Sequence, residues 1–401
     1  MRILHLIASL DLHGGGPAEV VRLQGKAQAA MGHCVEAASA DGEAVDVSSF
    51  SFPVHRLGPG NGYAYSRRLA KWLKQNRSRF DVVLVHGLWQ YPQQAAYTLL
   101  RGHVPYFVYT HGMLDPWFNQ SFRMKHMKKL IYWHCIGRRA LDAAAAVLFT
   151  TDEELLRSSR SFFPYHWQAI VSPLGVEGPQ SSVDATEMYA KWPQLRDREY
   201  LLFFGRLHVK KGCDLLLKAF ARSEAHTGRI LVMAGPGELS YEQELQKLAT
   251  SLGISKRVVW AGMVQGEQKW AMLQQADAFI LPSHQENFAM AAVEAMCCGT
   301  PVLLSEQVQI QRDVVREGAG FAEPDTLEGT TRLLNRWRML SDQDRTAMRL
   351  SARKAYTALY TVDSATAHLM QQMAAVLRRQ QRQATEITPI GPSNAVRQSG
   401  T

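Results

Sequence analysis

Long apolar runs are absent from this chain. Nowhere among its 401 residues do eighteen apolar residues follow one another, so no membrane-spanning helix is expected. The apolar opening, Met1–Leu10, has only Arg2 ahead of it and runs into a glycine loop, not a small-residue cleavage site. It is expected to be a first strand rather than a signal peptide. Cysteine is scarce. The five cysteines are scattered apart from Cys297-Cys298, with no C-x-x-C and no His/Cys cluster at metal spacing. That disfavours a zinc or disulfide scaffold and fits a reduced, cytoplasmic protein. The first glycine loop, Asp11–Pro17, lacks the G-x-G-x-x-G order, which disfavours a nicotinamide dehydrogenase. No Asp-x-Asp pair stands at the end of an apolar strand, so no paired-aspartate metal site is expected.

What is present fits a globular protein. Hydrophobic residues make up 46% and charged residues 20%, an ordinary balance. The length allows two domains. Lys and Arg total 45 against 36 Asp and Glu, a net charge of +9. Anionic partners are favoured: a nucleotide, a diphosphate lipid or an anionic membrane face. No recognised nucleic-acid module occurs, so nucleic acid is not expected as a partner.

The most informative stretch is Ala278–Ser305. Ala278–Leu281 is a short apolar run ended by Pro282 and Ser283, which predicts a buried strand. After a polar loop, Ala289–Cys298 is rich in helix formers, and Gly299 with Pro301 predicts its stop. Val302–Leu304 predicts a second buried strand. Strand, loop, helix and strand make a βαβ unit of a parallel sheet. Ligands of such sheets sit at the carboxyl ends of the strands. Glu286 falls in that loop and Glu294 eight residues on, in the helix. Ionised carboxylates only accept hydrogen bonds, which suits the hydroxyls of a sugar. Glu286 could take a hexose and Glu294 a ribose; equally, Glu286 could cap the helix and Glu294 be a solvated helix residue.

The same residues carry a resemblance. Glu286-x-Phe288, then Glu294, then Ala295-Met296 and Gly299-Thr300-Pro301-Val302 resemble the E-x7-E signature of GT-B glycosyltransferases, in particular the retaining family 4, or group 1, transferases. Gly205-Arg206-Leu207 with Lys211-Gly212, after the apolar Tyr200–Phe204, is similar to that family's G-R-L-x-x-x-K-G. One departure is Ala289, where the family usually has glycine. The resemblance spans roughly Met1–Leu377. It implies an α/β fold, GT-B, with two Rossmann-like domains facing a cleft. It also implies transfer of a hexosyl group from a nucleoside diphosphate sugar, with retention, to a hydroxyl of a saccharide or lipid-linked oligosaccharide acceptor. The pathways it implies build extracellular polysaccharide or lipopolysaccharide. It implies that Arg206 and Lys211 hold the diphosphate, with no metal and no cofactor. Gly15, Gly16, Gly205, Met263, Val264, Phe288, Ala289 and Met290 are then further donor-side candidates, with Glu286 and Glu294. A nucleotide-sugar epimerase on the same double fold and a non-catalytic nucleotide-sugar-binding subunit remain the alternatives.

In chain order, Asp81–His86 and Tyr106–Thr110 are expected strands, so His86 and His111 fall at carboxyl ends, on the ligand side. The run Thr110–Trp117 resembles a stretch of polysaccharide-building family members, which implies that His111 is catalytic and faces the donor; a structural histidine is the other reading. Phe122–Arg139 is basic and carries Tyr132 and Trp133. It reads either as a helix with a solvated cationic face or as a surface for an anionic membrane, which would make the protein peripheral on the inner face. The expected layout is a first domain over 1–178, a polar linker over 179–199, and a donor domain over 200–360. A helix over 361–379 returns to the first domain, and a disordered tail covers 380–401.

Overall fold

The computed structural model describes residues 1–14, 16–116, 123–179, 183–223 and 228–386. Among these, the strands form two sheets, parallel throughout. The first holds β1 (Arg2–Ile7), β2 (Cys34–Ser39), β3 (Val54–Arg56), β4 (Val82–His86), β5 (Tyr106–Tyr109), β6 (Ala146–Phe149) and β7 (Ala169–Val171). Their order is β3-β2-β1-β4-β5-β6-β7. The second holds β8 (Tyr200–Phe204), β9 (Ile230–Ala234), β10 (Val258–Gly262), β11 (Ala278–Leu281), β12 (Val302–Ser305) and β13 (Gly320–Glu323), in the order β10-β9-β8-β11-β12-β13. Helices cover both faces of a parallel sheet, so its central strands are continuous apolar runs. Every residue of β4, β5, β6, β9, β11 and β12 is buried. Each sheet reverses its order once, between β1 and β4 and between β8 and β11, and each reversal opens a crevice at the carboxyl ends.

Helices at the crossovers tie the two halves together. The helix Val362–Glu386 packs along the helix Gly16–Ala30 of the first half and buries Leu369, Met373 and Val376. Its length corrects the expected tail: 380–386 are helical, and 387–401 lie outside the described residues. Gln380–Glu386 contains no glycine or proline, so nothing stops a helix already anchored by its apolar face. The expected linker is corrected in part as well. Thr186–Lys191 is a helix followed by a 3₁₀ turn, Pro193–Leu195. Met188, Trp192 and Leu195 form a sparse helical stripe that is buried in the core of the second half. The basic stretch breaks into a helix, Arg123–Tyr132, a wide turn and a second helix, Arg138–Asp142. Phe122 and the side chains of 123–126 lie outside the described residues.

Candidate active site

The loop after β11 and the turn after β8 meet. His208 caps the short 3₁₀ turn Val209–Lys211, its Nδ1 accepting from the Lys210 N–H. Gly212 ends the turn in the left-handed region. The turn thereby aims Lys211 Nζ at Glu286 Oε2 in a close ion pair, and Lys210 Nζ donates to Gln285 Oε1 at 2.9 Å. Both partners of the Lys211–Glu286 pair are less than one-fifth exposed. Burial alone would raise the Glu286 pKa; the ammonium groups of Lys211 and Lys210 outweigh it and hold the carboxylate below its ordinary range. Lys210 is lowered, by burial first and then by the charges of Lys211 and Arg206, against the pull of Glu286 and Asp115. Arg206 itself is exposed. Three cations and one carboxylate therefore share the end of β8 and β11.

Glu294 serves a second compartment. It lines a cleft of about 440 Å³ together with Met290, Gly266, Lys269, Trp270 and, from the first half, Glu19 and Arg22. Lys269 Nζ donates to Glu294 Oε1 at 3.0 Å and lies 4.1 Å from the Trp270 ring centroid. Burial raises the Glu294 pKa and Lys269 opposes the rise. The two glutamates are thus pushed in opposite directions by their surroundings. A larger cavity of about 820 Å³ lies at the amino ends of the first sheet's strands, lined by Arg101, Tyr106 and Arg378. That is the wrong end of a parallel sheet for a ligand site.

The first half supplies the opposing wall. His111 follows β5 with φ at 48°, and the next N–H, of Gly112, donates to the buried Glu154 carboxylate at 2.6 Å. Glu154 also accepts from the Thr150 N–H at 2.6 Å. Gly112 lies against the Glu286 loop: a methyl there would come within 2.9 Å of the Asn287 Cβ. With its amide oriented to satisfy its neighbours, Asn287 donates to Gln309 Oε1 at 2.6 Å and to Glu154 Oε2 at 3.2 Å. Gln309 Nε2 donates to Asp115 Oδ2 at 3.2 Å, and Thr151 Oγ1 donates to Gln309 Oε1 at 3.2 Å. A polar clasp therefore holds the His111 turn of one half beside the Glu286 loop of the other.

The remaining candidates scatter around this centre. Gly16 approaches Met290: a methyl on it would lie 3.4 Å from the Met290 sulfur. Gly15 lies outside the described residues. Gly205 has φ at 155° in open space. Phe288 is buried and meets the Tyr360 ring edge-on at 5.5 Å, so its ring braces the loop from beneath. Met263 is exposed and Val264 buried; neither lines the Glu294 cleft. Residues that sequence reasoning passed over include Lys269, Asp115, Gln285, Asn287 and Gln309. Each is partnered with a residue at least 25 positions away, and no local pattern marks them.

Ala289 occupies the N-cap of the helix Met290–Cys297 at φ 53°, ψ 59°. This left-handed geometry is one that glycine adopts without strain. A non-glycine residue pays roughly 1–2 kcal/mol for it. Ala289→Gly removes that strain but loses a buried methyl, about 0.8 kcal/mol, and adds unfolded-state entropy of about 0.5–1 kcal/mol. The terms cancel, so this variant is expected to unfold within about 0.5 kcal/mol of the parent. Ala289→Val combines left-handed strain on a branched residue with overpacking and is expected to cost about 2–4 kcal/mol. Urea midpoints measure both; a valine variant as stable as the parent would contradict the left-handed geometry.

Comparison with known proteins agrees with this arrangement. Residues 15–175 match the model of the glycosyl transferase 4-like domain, and residues 184–354 match that of the glycosyl transferases group 1. The chain is 33% identical over 147 residues to an uncharacterized glycosyltransferase of Methanocaldococcus jannaschii, covering 35% of this chain and 37% of that one. The chain thus spans little more than a third of that relative. It is 26% identical to the GDP-mannose:cellobiosyl-diphosphopolyprenol alpha-mannosyltransferase of Xanthomonas campestris, over 90% of this chain and 93% of that one. The structure of Anabaena HepE in complex with UDP and glucose superposes with a TM-score of 0.74 at 17% identity, covering 94% of this chain and all of that one, which shows a common GT-B fold. With both halves matched in order and the glutamates and cations meeting at the facing strand ends, the chain belongs to the group 1 glycosyl transferases.

Proposed function

We propose that the protein transfers a hexosyl group, with retention, from a nucleoside diphosphate sugar to a hydroxyl of a lipid-linked saccharide, in the assembly of a polysaccharide or lipopolysaccharide. The observation that carries this reading is the gathering of Arg206, Lys210 and Lys211 with Glu286 across from the His111 turn. The bond between the anomeric carbon and the phosphate oxygen breaks, and its electron pair stays on the diphosphate. The acceptor oxygen bonds to the same carbon and gives up its proton to the departing phosphate. Cations fixed where that charge grows stabilise the transition state more than the ground state. UDP bound to HepE supports a nucleotide donor, and the Xanthomonas relative's name supports a polyprenol-linked acceptor. A thermal-shift screen of nucleoside diphosphates and their sugars, followed by transfer assays with lipid-linked saccharides, tests it. Epimerised donor formed without acceptor, or binding without turnover, would overturn it.

Glu286 and Glu294 divide the donor between them in this reading. Glu286→Gln is expected chiefly to lower turnover. Glu294→Gln is expected to weaken binding of the nucleoside diphosphate by about tenfold or more, the loss of a hydrogen bond to a charged group. Titration calorimetry with the free diphosphate checks the second; unchanged affinity would remove Glu294 from the ribose.

The protein works, in the same reading, on the inner face of a membrane. The helix Arg123–Tyr132 exposes Met127 and Ile131, 66% and 67% accessible and one turn apart, with the exposed cation Lys128 on the same helix and the exposed Arg139 on the next. Among the described residues no helix is long and apolar enough to cross a bilayer. Each cation at an anionic surface contributes about 1 kcal/mol, screened by salt. Flotation is expected with anionic liposomes at low salt and to fall at high salt; equal binding to neutral liposomes would remove the electrostatic part.

A further inference from the structure

Behind His111 lies a file of imidazoles that the proposed chemistry does not use. His111 Nε2 and His86 Nδ1 are 3.1 Å apart. His86 Nε2 and His5 Nδ1 are 2.9 Å apart. His5 Nε2 ends on Gln28 Oε1 at 2.8 Å. His5 is fully buried and His86 nearly so, and the His86 and His111 rings stack at 5.3 Å. The file therefore begins in the core of the first half, on the helix Gly16–Ala30, and ends in the turn that faces the Glu286 loop. On the way His86 lines a small cavity of about 180 Å³ with Ser9, Asp11, Gly87 and Gln90, beside the glycine loop.

Such a file has a direction. Burial lowers the pKa of His5 and of His111 to about 4 and that of His86 well below its ordinary value, so all three rings are neutral near pH 7. A neutral imidazole has one donor and one acceptor. Once the first ring is oriented, every following ring must point the same way. The closed end decides. If Gln28 accepts through Oε1, then His5, His86 and His111 each carry the proton on Nε2, and His111 keeps a bare Nδ1. If the Gln28 amide were reversed, every ring would carry it on Nδ1. The structure has the first order: Gln28 presents Oε1 to His5 Nε2 at 2.8 Å.

We propose that Gln28, His5 and His86 are positioning residues that lock His111 in its Nε2–H tautomer, so that its Nδ1 accepts a hydrogen bond from a hydroxyl of the bound sugar. The proposal rests on the donor site assigned above, yet half of its test needs no activity. Histidine-selective ¹⁵N labelling and multiple-bond ¹H–¹⁵N spectra report which ring nitrogen is protonated, with a His111→Asn sample to assign the signal. The wild type is expected to show His111 protonated at Nε2. Gln28→Met, nearly isosteric without an acceptor oxygen, is expected to convert it to a mixture of tautomers. His86→Phe, which keeps a stacked ring but cuts the file, is expected to do the same and guards against misfolding of the first variant. In both, kcat/KM for whichever of UDP-glucose or GDP-mannose is turned over should fall about tenfold. Affinity for the diphosphate without sugar should stay within about twofold. A wild-type His111 protonated at Nδ1, a tautomer unmoved by either variant, or an equal loss of diphosphate affinity would overturn the proposal. A wild-type protein with the expected tautomer but no transfer activity would overturn the proposed function and the sugar contact, and leave the tautomer lock standing.

Discussion

Replacing Lys211 with alanine is expected to lower kcat by about 10²–10³, the usual cost of one preorganised group that meets developing charge, with a smaller change in the donor KM. The ion pair adds a second consequence. Glu286 is mostly buried, and Lys211 is its close counter-ion. Removing one partner of a fully isolated buried pair destabilises a protein by about 3–5 kcal/mol; here Lys210 still faces Glu286 and keeps the loss below that. Lys211→Ala therefore loses the cation and pushes Glu286 towards its neutral form together. Stability and turnover must be measured side by side, under conditions where the variant stays folded. In the double variant Lys211→Ala, Glu286→Gln the two partners are removed together, and Lys210 keeps Asp115 as its remaining carboxylate. Its stability should recover relative to Lys211→Ala, while kcat falls little further, since groups acting as one unit are not additive. Lys211→Arg should recover part of the rate, because guanidinium and ammonium differ in shape and hydration. Wild-type activity should survive EDTA, the charge being met by side chains. Normal kcat in Lys211→Ala, or loss of wild-type activity on chelation that added metal restores, would sink the assignment.

Gly212→Ala is expected to be nearly as damaging, for a purely geometric reason. Gly212 has φ at +65°, and a methyl there would lie 2.2 Å from the Pro282 carbonyl oxygen. That oxygen belongs to the backbone that opens the Glu286 loop, so it cannot swing aside as a side chain would. The left-handed conformation alone costs about 1–2 kcal/mol. Separating the two backbones adds to it and draws Lys211 away from Glu286. We expect a stability loss of about 2–4 kcal/mol, at the upper end for single substitutions, and activity below what the folded fraction explains. Gly253 is the control: its φ is +71° but nothing lies within 4 Å of the added methyl. Gly253→Ala should lose only the conformational part and keep its activity. Equal unfolding free energies for the two variants in urea would show that the close approach of Gly212 to Pro282 does not hold the site together.

Much of this site is written locally in the chain. Strands buried on both faces need continuous apolar runs, so Val82–His86, Tyr200–Phe204 and Ala278–Leu281 announce themselves, and the residues that follow them, Gly87, Gly205 and Pro282, mark the carboxyl ends. The glutamates and the Lys211-Gly212 pair are readable because their spacing within one loop or turn is their geometry. The helix Thr186–Lys191 was harder to read, because its apolar stripe is thin among polar neighbours. Partnership between segments was not readable at all. Periodicity says which face of a strand is buried, but not which strand lies beside it. Lys211 meets Glu286 across 75 positions and Gln309 meets Asp115 across 194. The first exists because β8 and β11 lie side by side where the second sheet reverses its order, the second because the two halves close face to face. His5, His86 and His111 meet because β1, β4 and β5 are neighbours in the first sheet. The sequence alone determined two parallel α/β halves and the carboxyl-end loops that carry charge. The tertiary structure alone decided that Lys211 neutralises Glu286, that Lys269 serves Glu294, and that three histidines stand in one file, because each depends on bringing distant backbone together.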